Sequence, residues 1–166
     1  IADEIREAWK EADLILTTGG VSVGEKDLLP GVIENLTGNV LFHGIQVKPG
    51  MPTMLSVVKG TPVLSLSGNP FAVEALFEVL AGGYLTDMEA SRYLQKNQMK
   101  ILKQTFVKTG KMKRIVKGRC DESGVYLPQI QKNGQLKNGI GSNCLVIFPE
   151  GERTYTEGEA VRVIRI

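Results

Sequence analysis

The segment Leu14-Ile-Leu-Thr-Thr-Gly-Gly-Val-Ser-Val-Gly-Glu-Lys-Asp27 decides the fold of the first half of the chain. A short apolar run, typical of a buried strand, ends at two glycines and is followed by small hydrogen-bonding residues and an acid. In an open α/β sheet, ligands bind beyond the carboxyl ends of the strands, where such a loop lies. Glycines let backbone N–H groups approach an anion closely, and Thr17, Thr18 and Ser22 add hydroxyl donors. The segment therefore predicts a phosphate-binding loop.

Asp27 ends this loop, at a position where a carboxylate could hold a divalent cation against a bound phosphate. The competing interpretation is structural: Gly19 and Gly20 form a tight turn, and Asp27 caps the helix that follows. Composition does not separate the two interpretations, because glycine loops are common in proteins.

The whole chain has the composition of an ordinary globular protein. Its 166 residues are 42% hydrophobic and 23% charged, and its net charge of +2 favours no class of partner. No apolar run approaches the ~20 residues that a membrane span requires. There is no signal-like start, so we expect a cytoplasmic protein, although a chain that begins at Ile1 indicates a natural N-terminus upstream. Cys120 and Cys144 form no metal-binding or redox motif, so we expect two buried free thiols.

Two parts of the sequence follow different patterns. Residues 1–90 alternate helix-like and strand-like segments, which is typical of an α/β sheet. Residues 98–166 hold short alternating strands separated by glycine-bearing turns, which predict a small all-β barrel or sandwich. We therefore predict two domains, 1–90 and 98–166. Because the first domain opens with a helix, Ile1 to Ala12, rather than a strand, we expect a leading part of its sheet to lie upstream.

A second loop, Ser65-Leu-Ser-Gly-Asn-Pro70, joins a buried strand to a long apolar helix. Asn69 as N-cap, with Pro70 at the first helical position, is a strong helix start. The free N–H groups and the positive end of the helix dipole predict a second anion site at this loop. An ordinary Asn-Pro helix start is the alternative, and it explains Asn69 and Pro70 but not the preceding Ser67-Gly68.

Between these loops, the segment Val47-Lys48-Pro-Gly-Met-Pro52 predicts a rigid bend, because two prolines and a glycine restrict the chain. Such a bend could hold Lys48 against an anionic ligand. The alternative is a solvated surface lysine, the usual environment of that side chain.

Four segments together carry a family resemblance: Thr18-Gly-Gly-Val-Ser-Val-Gly-Glu-Lys-Asp27, Lys48-Pro-Gly-Met-Pro52, Ser67-Gly-Asn-Pro70 and the tail Gly158-Glu-Ala-Val-Arg-Val163. In this order they resemble the MoeA family of molybdopterin molybdenumtransferases, which includes the gephyrin E-domain. The resemblance implies a partial MogA/MoaB-like molybdopterin-binding three-layer domain followed by a small all-β barrel domain. It also implies an enzyme that inserts molybdenum from molybdate into adenylated molybdopterin and releases AMP.

The same resemblance implies cofactors, partners and site residues. We expect Mg²⁺ dependence, adenylated molybdopterin and molybdate as small-molecule substrates, a homodimer, and contact with other molybdenum cofactor biosynthesis proteins, but no nucleic acid or membrane partner. Asp27 would bind Mg²⁺ or support cleavage of the phosphoanhydride, and Lys48 would lie near molybdate or phosphate. The residues expected around the pterin and its phosphate are Thr18, Gly19, Gly20, Ser22, Gly24, Ser67, Gly68, Asn69 and Pro70.

The chain departs from the family pattern at several positions. Gly44 and Met51 stand where many members have lysine, and Ser67 stands where proline is usual. The segment Gln131-Lys-Asn-Gly-Gln-Leu-Lys-Asn-Gly139 lacks a serine that many members carry. Fewer cations favour a competing hypothesis, in which the chain is a non-catalytic molybdopterin- or nucleotide-binding or scaffolding module. An adenylyltransferase of the same fold is a further competitor, against which the Val-Ser-Val-Gly loop and the β-rich tail argue.

Two remaining features have structural interpretations. His43 is the only histidine and lies in an apolar strand without evident ligand partners, so we expect a structural role. Nine cations and no acid lie between Lys96 and Arg119. With one aromatic residue and no recognised motif, this run favours a solvated face of the barrel over a nucleic-acid site. These cations would also raise the local concentration of an anionic substrate.

Overall fold

The computed structural model describes residues 1–22, 28–82, 97–128 and 141–166. In chain order its elements are α1 (Ala2–Ala8), β1 (Ile15–Thr18), α2 (Leu29–Asn35), β2 (Asn39–His43), β3 (Val47–Lys48), β4 (Met54–Val58), β5 (Thr61–Leu66), α3 (Pro70–Leu76), a π-helical turn (Phe77–Ala81), β6 (Asn97–Ile101), β7 (Phe106–Lys108), β8 (Lys113–Cys120), β9 (Val125–Tyr126), β10 (Cys144–Phe148), β11 (Arg153–Tyr155) and β12 (Ala160–Arg165).

These elements form two units. One unit contains Ile1–Gln46 with Gly50–Val73, and the other contains Val47–Pro49 with Glu74–Ile166. The predicted boundary between domains 1–90 and 98–166 lies largely outside the described residues, so this division stays a prediction. Within the described residues, no helix is long and apolar enough to cross a membrane.

The first unit is built on a four-stranded sheet with the strand order β1-β5-β4-β2. β1 runs parallel to β5, whereas β4 pairs antiparallel with both β5 and β2. The two parallel strands therefore end side by side at Thr18 and Leu66, which face each other in register. This pairing gives the sheet edge at which the predicted loops begin.

Both α1 and α2 pack on one face of this sheet, because each helix carries its apolar side chains on one side. Ile5 of α1 and Ile33 of α2 are at most 2% exposed and share one core with Ile15 and Val63 of the strands. Helix α1 ends at Ala8, earlier than predicted, and the chain continues as a turn through Trp9. The indole of Trp9 packs against the same core, so the residue has a structural role.

The second unit contains a six-stranded sheet in which β3, β8, β10, β12 and β6 are neighbours in that order, with β9 paired to β8. Strand β10 is buried along its whole length. The N–H of Lys103, just beyond β6, donates to the carbonyl of Val125 in β9 at 2.9 Å, next to a bridge between Leu102 and Val125. These contacts join β6 to β9 and close the strands into a ring, which confirms the predicted barrel.

The core of this barrel contains both cysteines, and both are free thiols. Cys144 is 0% exposed and Cys120 is 3% exposed, as the sequence predicts. Burial, with the thiol of Cys120 beside it, raises the pKa of Cys144 to about 12. Because a protonated thiol is a poor nucleophile, Cys144 is a packing side chain, and Cys120 is buried in the same core.

Substitution of Gly124 by alanine is expected to disrupt the closure of the barrel. Gly124 has a φ of +151°, and a Cβ there would lie 2.3 Å from the carbonyl oxygen of Ile101. Because that oxygen belongs to the backbone of β6, the strand must move. We expect Gly124→Ala to lower the free energy of unfolding by about 3 kcal/mol, measured by urea denaturation.

Gly110→Ala is the matched control, since Gly110 has a φ of +88° but nothing within 4 Å of an added Cβ. Backbone strain alone should lower its free energy of unfolding by about 1 kcal/mol. Equal losses in the two variants would contradict the account of barrel closure.

Candidate functional site

The first part of the candidate site lies where β1 and β5 end. The N–H of Gly19 donates to the carbonyl of Leu66 at 2.9 Å, which extends the parallel ladder one residue beyond Thr18. A Cβ built on Gly68 would lie 3.6 Å from the Cα of Gly19, so the loops that follow the two strands are in contact. The two loops predicted to bind anions therefore share one edge of the sheet.

The glycine pair turns the chain immediately after this ladder. Gly19 and Gly20 have φ angles of +81° and +66°, a region that glycine adopts readily and other residues rarely. The carbonyl of Gly20 accepts a hydrogen bond from the N–H of Leu29 at 3.1 Å, which ties the turn to the start of α2. Glycine is therefore needed here for the backbone path itself, whatever the loop binds.

The amides left for a ligand differ from those that the sequence indicates. The N–H of Gly19 is already committed to Leu66. In the described part of the chain, the N–H groups of Gly20, Ser67 and Gly68 have no hydrogen-bond acceptor. These are the backbone donors that an anion could engage at this edge of the sheet.

Asn69 caps α3, as predicted. Its side-chain Oδ1 accepts a hydrogen bond from the N–H of Ala72 at 3.2 Å, and its carbonyl accepts one from Val73 at 3.0 Å. A cap of this kind stabilises a helix by about 1 kcal/mol. The side-chain oxygen of Asn69 is therefore engaged by the helix, and Pro70 opens that helix without an N–H to offer.

Two buried hydroxyls beneath the loops lack hydrogen-bond partners within the described structure: Thr17 Oγ1 and Ser65 Oγ. The two residues face each other in register on β1 and β5, one position before the strand ends. An unpartnered buried hydroxyl costs about 1–3 kcal/mol, and such groups commonly bond a water or a ligand. Thr17 was predicted as a hydroxyl donor from the sequence, whereas Ser65 was not, because Ser65 lies inside an apolar run.

The Lys-Pro-Gly bend is fixed by its own hydrogen bonds. The N–H of Gly44 donates to the carbonyl of Thr53, and the N–H of Ile45 donates to the carbonyl of Met51, both at 2.8 Å. The hydroxyl of Thr53 donates to the carbonyl of Gly50 at 2.7 Å. These bonds close the base of the bend, in agreement with the rigidity that its prolines and glycine predict.

Strand β3 places Lys48 beside a second cation. β3 pairs parallel with β8, and Lys48 faces Arg114 in register, so both side chains project from the same face of the sheet. Among the described residues, neither cation forms an ion pair. Arg114 also lines a cavity of about 240 Å³ together with Gln104 and Thr109. Two unpaired cations at neighbouring positions repel each other, which makes this face favourable for an anion.

In the sequence, Arg114 belongs to a basic run that predicts a solvated face, and its pairing with Lys48 is not evident there. Nothing in either segment indicates that β3 and β8 are neighbours, because the pairing joins strands far apart in the chain.

Several predicted site residues lie outside the described part of the chain. They include Gly24, the predicted magnesium ligand Asp27, and the segment 131–139. Ser22 is described and exposed. Among the described residues, no group of three or more His, Cys, Asp and Glu side chains is placed to hold a metal ion.

A groove of about 540 Å³ runs along β1 and α1, lined by Ile5, Ala8, Ile15 and Leu16. Its lining is largely apolar, and it also includes Thr17, Thr18 and the glycine pair. Because an apolar lining does not suit an anion, we assign the anion-binding chemistry to the loops and not to the groove along β1.

An α/β sheet whose parallel strands end in two touching glycine loops is typical of proteins that bind ligands beyond the carboxyl ends of their strands. Residues 1–87 match the family model described as a probable molybdopterin binding domain. The chain belongs to this molybdopterin-binding family.

Relatives extend the likeness to nearly the whole chain. A molybdopterin molybdenumtransferase of Staphylococcus aureus (strain COL) is 29% identical over 165 residues, which cover 96% of this chain and 39% of that protein. The Bacillus subtilis (strain 168) protein of the same name is 30% identical over 171 residues, 98% of this chain and 39% of its own length. The chain therefore spans about two fifths of the curated relatives that it matches.

Solved structures share the fold. A molybdopterin biosynthesis MoeA protein from Pyrococcus horikosii superposes with a TM-score of 0.79 at 27% identity, over 99% of this chain and 40% of that one. A molybdenum cofactor biosynthesis protein from Pyrococcus furiosus has a TM-score of 0.72 at 22% identity, over 99% of this chain and 53% of that one, and it supports the fold alone. The resemblance to the MoeA family and the predicted fold class are confirmed by these matches.

The pairing of Lys48 with Arg114 predicts a specific effect of sulfate on thermal unfolding. An anion that binds only the folded state, present at a concentration of about ten times its dissociation constant, adds about 1.4 kcal/mol to the free energy of unfolding. We expect sulfate to raise the Tm of the wild-type protein more than chloride does at equal ionic strength. Lys48→Met and Arg114→Met should each lose this excess.

Arg119→Gln is the control, because Arg119 is exposed and its side chain projects from the opposite face of β8. This variant retains any general salting effect of sulfate as well as the specific one. If all four proteins show the same excess stabilisation by sulfate, Lys48 and Arg114 do not form an anion site.

Proposed function

We propose that this chain supplies the molybdopterin-binding domain and the β-barrel domain of a molybdopterin molybdenumtransferase. The proposed reaction binds adenylated molybdopterin and molybdate, cleaves the phosphoanhydride, releases AMP and leaves molybdenum on the dithiolene. The names of the Staphylococcus aureus and Bacillus subtilis relatives support a transferase of molybdenum cofactor biosynthesis. Because the chain spans only part of their length, the complete reaction is proposed for the whole protein and not for this chain alone.

The observation that carries the proposal is the contact between the Gly19 and Gly68 loops at one edge of the sheet. This contact brings the unpaired amides of Gly20, Ser67 and Gly68 to neighbouring positions. Backbone N–H groups that converge in this way suit the phosphate groups of adenylated molybdopterin. We propose that these amides hold the phosphates, with Thr18 and Ser22 as hydroxyl donors at the rim.

Lys48 and Arg114 support a second binding role, for molybdate. Molybdate is a doubly charged anion, and two cations at adjacent positions on paired strands would bind it through charge and hydrogen bonds. We propose that Lys48 holds molybdate or a phosphate and that Arg114 shares this role. The departures at Gly44 and Met51 were the reason to consider a non-catalytic module, whereas the pairing of Lys48 with Arg114 favours anion binding.

Mg²⁺ dependence is a further part of the proposal. Asp27 would hold the cation against the substrate's phosphates, since carboxylate and phosphate oxygens are the ligands that Mg²⁺ prefers. When bound, the cation would neutralise negative charge on the phosphoanhydride. A homodimer, a cytoplasmic location and contacts with other proteins of molybdenum cofactor biosynthesis also belong to this proposal.

A binding experiment separates the enzyme from its main competitor, a non-catalytic binding or scaffolding module. The full-length protein is titrated with adenylated molybdopterin, with and without molybdate and Mg²⁺, while AMP release is followed. Binding with release of AMP supports the transferase. Binding without release favours the module, and a protein that does not bind adenylated molybdopterin is neither.

Substitution of Asp27 by asparagine is expected to abolish Mg²⁺-dependent AMP release, because the amide cannot supply a negatively charged ligand. Binding of adenylated molybdopterin and the unfolding transition should stay close to those of the wild type. Asp13→Asn is the matched control, since Asp13 is exposed and precedes β1 at the opposite end of the strand. Unchanged turnover in Asp27→Asn would show that this carboxylate does not hold the Mg²⁺ that the proposed reaction requires.

A further inference from the structure

His43 makes a long-range hydrogen bond to the glycine loop. Its Nε2 lies 2.8 Å from the carbonyl oxygen of Val21, the residue that follows Gly20. A carbonyl oxygen only accepts hydrogen bonds, so Nε2 carries the proton and donates. Val21 itself is 1% exposed and packs in the core beneath the sheet edge. The loop is thus held at Val21 from two sides, by packing of the side chain and by the histidine.

The position of His43 in the chain links this bond to a second predicted site loop. The residue ends β2, and Gly44, which follows it, forms the first hydrogen bond at the base of the Lys-Pro-Gly bend. His43 is itself exposed, so burial of the imidazole does not explain its orientation. The ring therefore connects the base of one predicted site loop to the backbone of another.

We infer that His43 is a positioning residue, which holds the glycine loop in register with the base of the Lys-Pro-Gly bend. The inference rests on the proposed function, because it assumes that the glycine loop binds the phosphates of adenylated molybdopterin. Gly20 precedes the anchored carbonyl, and its unpaired N–H keeps its direction only if the turn is held on both sides. One side is the Gly19–Leu66 bond, and on the other side His43 acts together with the bond from Leu29 to the carbonyl of Gly20 and with the packing of Val21.

Two substitutions at position 43 separate the hydrogen bond from the shape of the ring. His43→Phe keeps a planar ring but has no donor, whereas His43→Gln retains an N–H donor. We expect His43→Phe to weaken binding of adenylated molybdopterin by about tenfold, the change that the loss of one hydrogen bond produces. His43→Gln should stay within about twofold of the wild type. Leu41→Ala, at an exposed position of the same strand, is the control that should leave binding unchanged.

A measurement without ligand keeps this inference distinct from the proposed function. In amide hydrogen exchange, His43→Phe should raise the rates at Gly19 and Leu29, whose N–H groups are hydrogen-bonded at the two ends of the turn, about tenfold. The rate at Leu64 in β5 should stay unchanged. Because the chain has one histidine, its imidazole ¹⁵N signals should also report the Nε2–H tautomer directly. A wild-type protein that fails to bind adenylated molybdopterin would refute the proposed function, whereas selective loop exchange would still support the anchor.

Two results would overturn the inference. One is a His43→Phe variant that binds as tightly as the wild type while the wild type does bind. The other is exchange that rises equally at Leu64 and in the loop, which would make His43 a contributor to global stability and not to the position of the loop.

Discussion

The candidate site depends on the close approach of two parallel strands at their carboxyl ends. β1 and β5 stay paired through Thr18 and Leu66, and the bond from Gly19 to Leu66 carries the pairing one residue further. Only then does the chain turn away, through two glycines at positive φ. A residue with a Cβ would adopt this conformation at a cost of about 1–2 kcal/mol. The second loop meets the first at Gly68 because both strands end together.

The close pairing of β1 and β5 at their carboxyl ends determines which groups can bind a ligand. The Gly19 amide is used to keep the strands together, so the amides of Gly20, Ser67 and Gly68 are left for a phosphate. Beneath them, the hydroxyls of Thr17 and Ser65 are buried without partners in the described part of the chain, an arrangement that stability alone does not favour. Binding groups and strand-pairing groups therefore alternate along a short piece of chain, and His43 fixes the next carbonyl, that of Val21.

The sequence predicted the features that are local in the chain. The Asn69 cap followed from the neighbouring Pro70, and the α/β and barrel patterns followed from alternation and turns, so the fold class was predictable. Strand β6 could not be predicted from alternation in the same way. In β6 the outward-facing Met99 and Ile101 are 62% and 43% exposed, and apolar residues on the exposed face obscure the alternation of the strand.

Features that depend on distant parts of the chain could not be predicted. The pairing of Lys48 with Arg114 requires knowledge of which strands are neighbours, and so does the bond from His43 to Val21. The use of the Gly19 amide within the ladder depends on the register of β1 and β5. In each case the residue types were visible in the sequence, but their partners were not.

The most direct test of phosphate binding at the converging strand ends is a crystal structure of the protein with adenylated molybdopterin bound. If the converging strand ends hold the ligand, its phosphate oxygens will lie about 2.7–3.2 Å from the backbone nitrogens of Gly20, Ser67 and Gly68. Phosphates held elsewhere on the protein, with these three amides in contact only with water, would contradict the account.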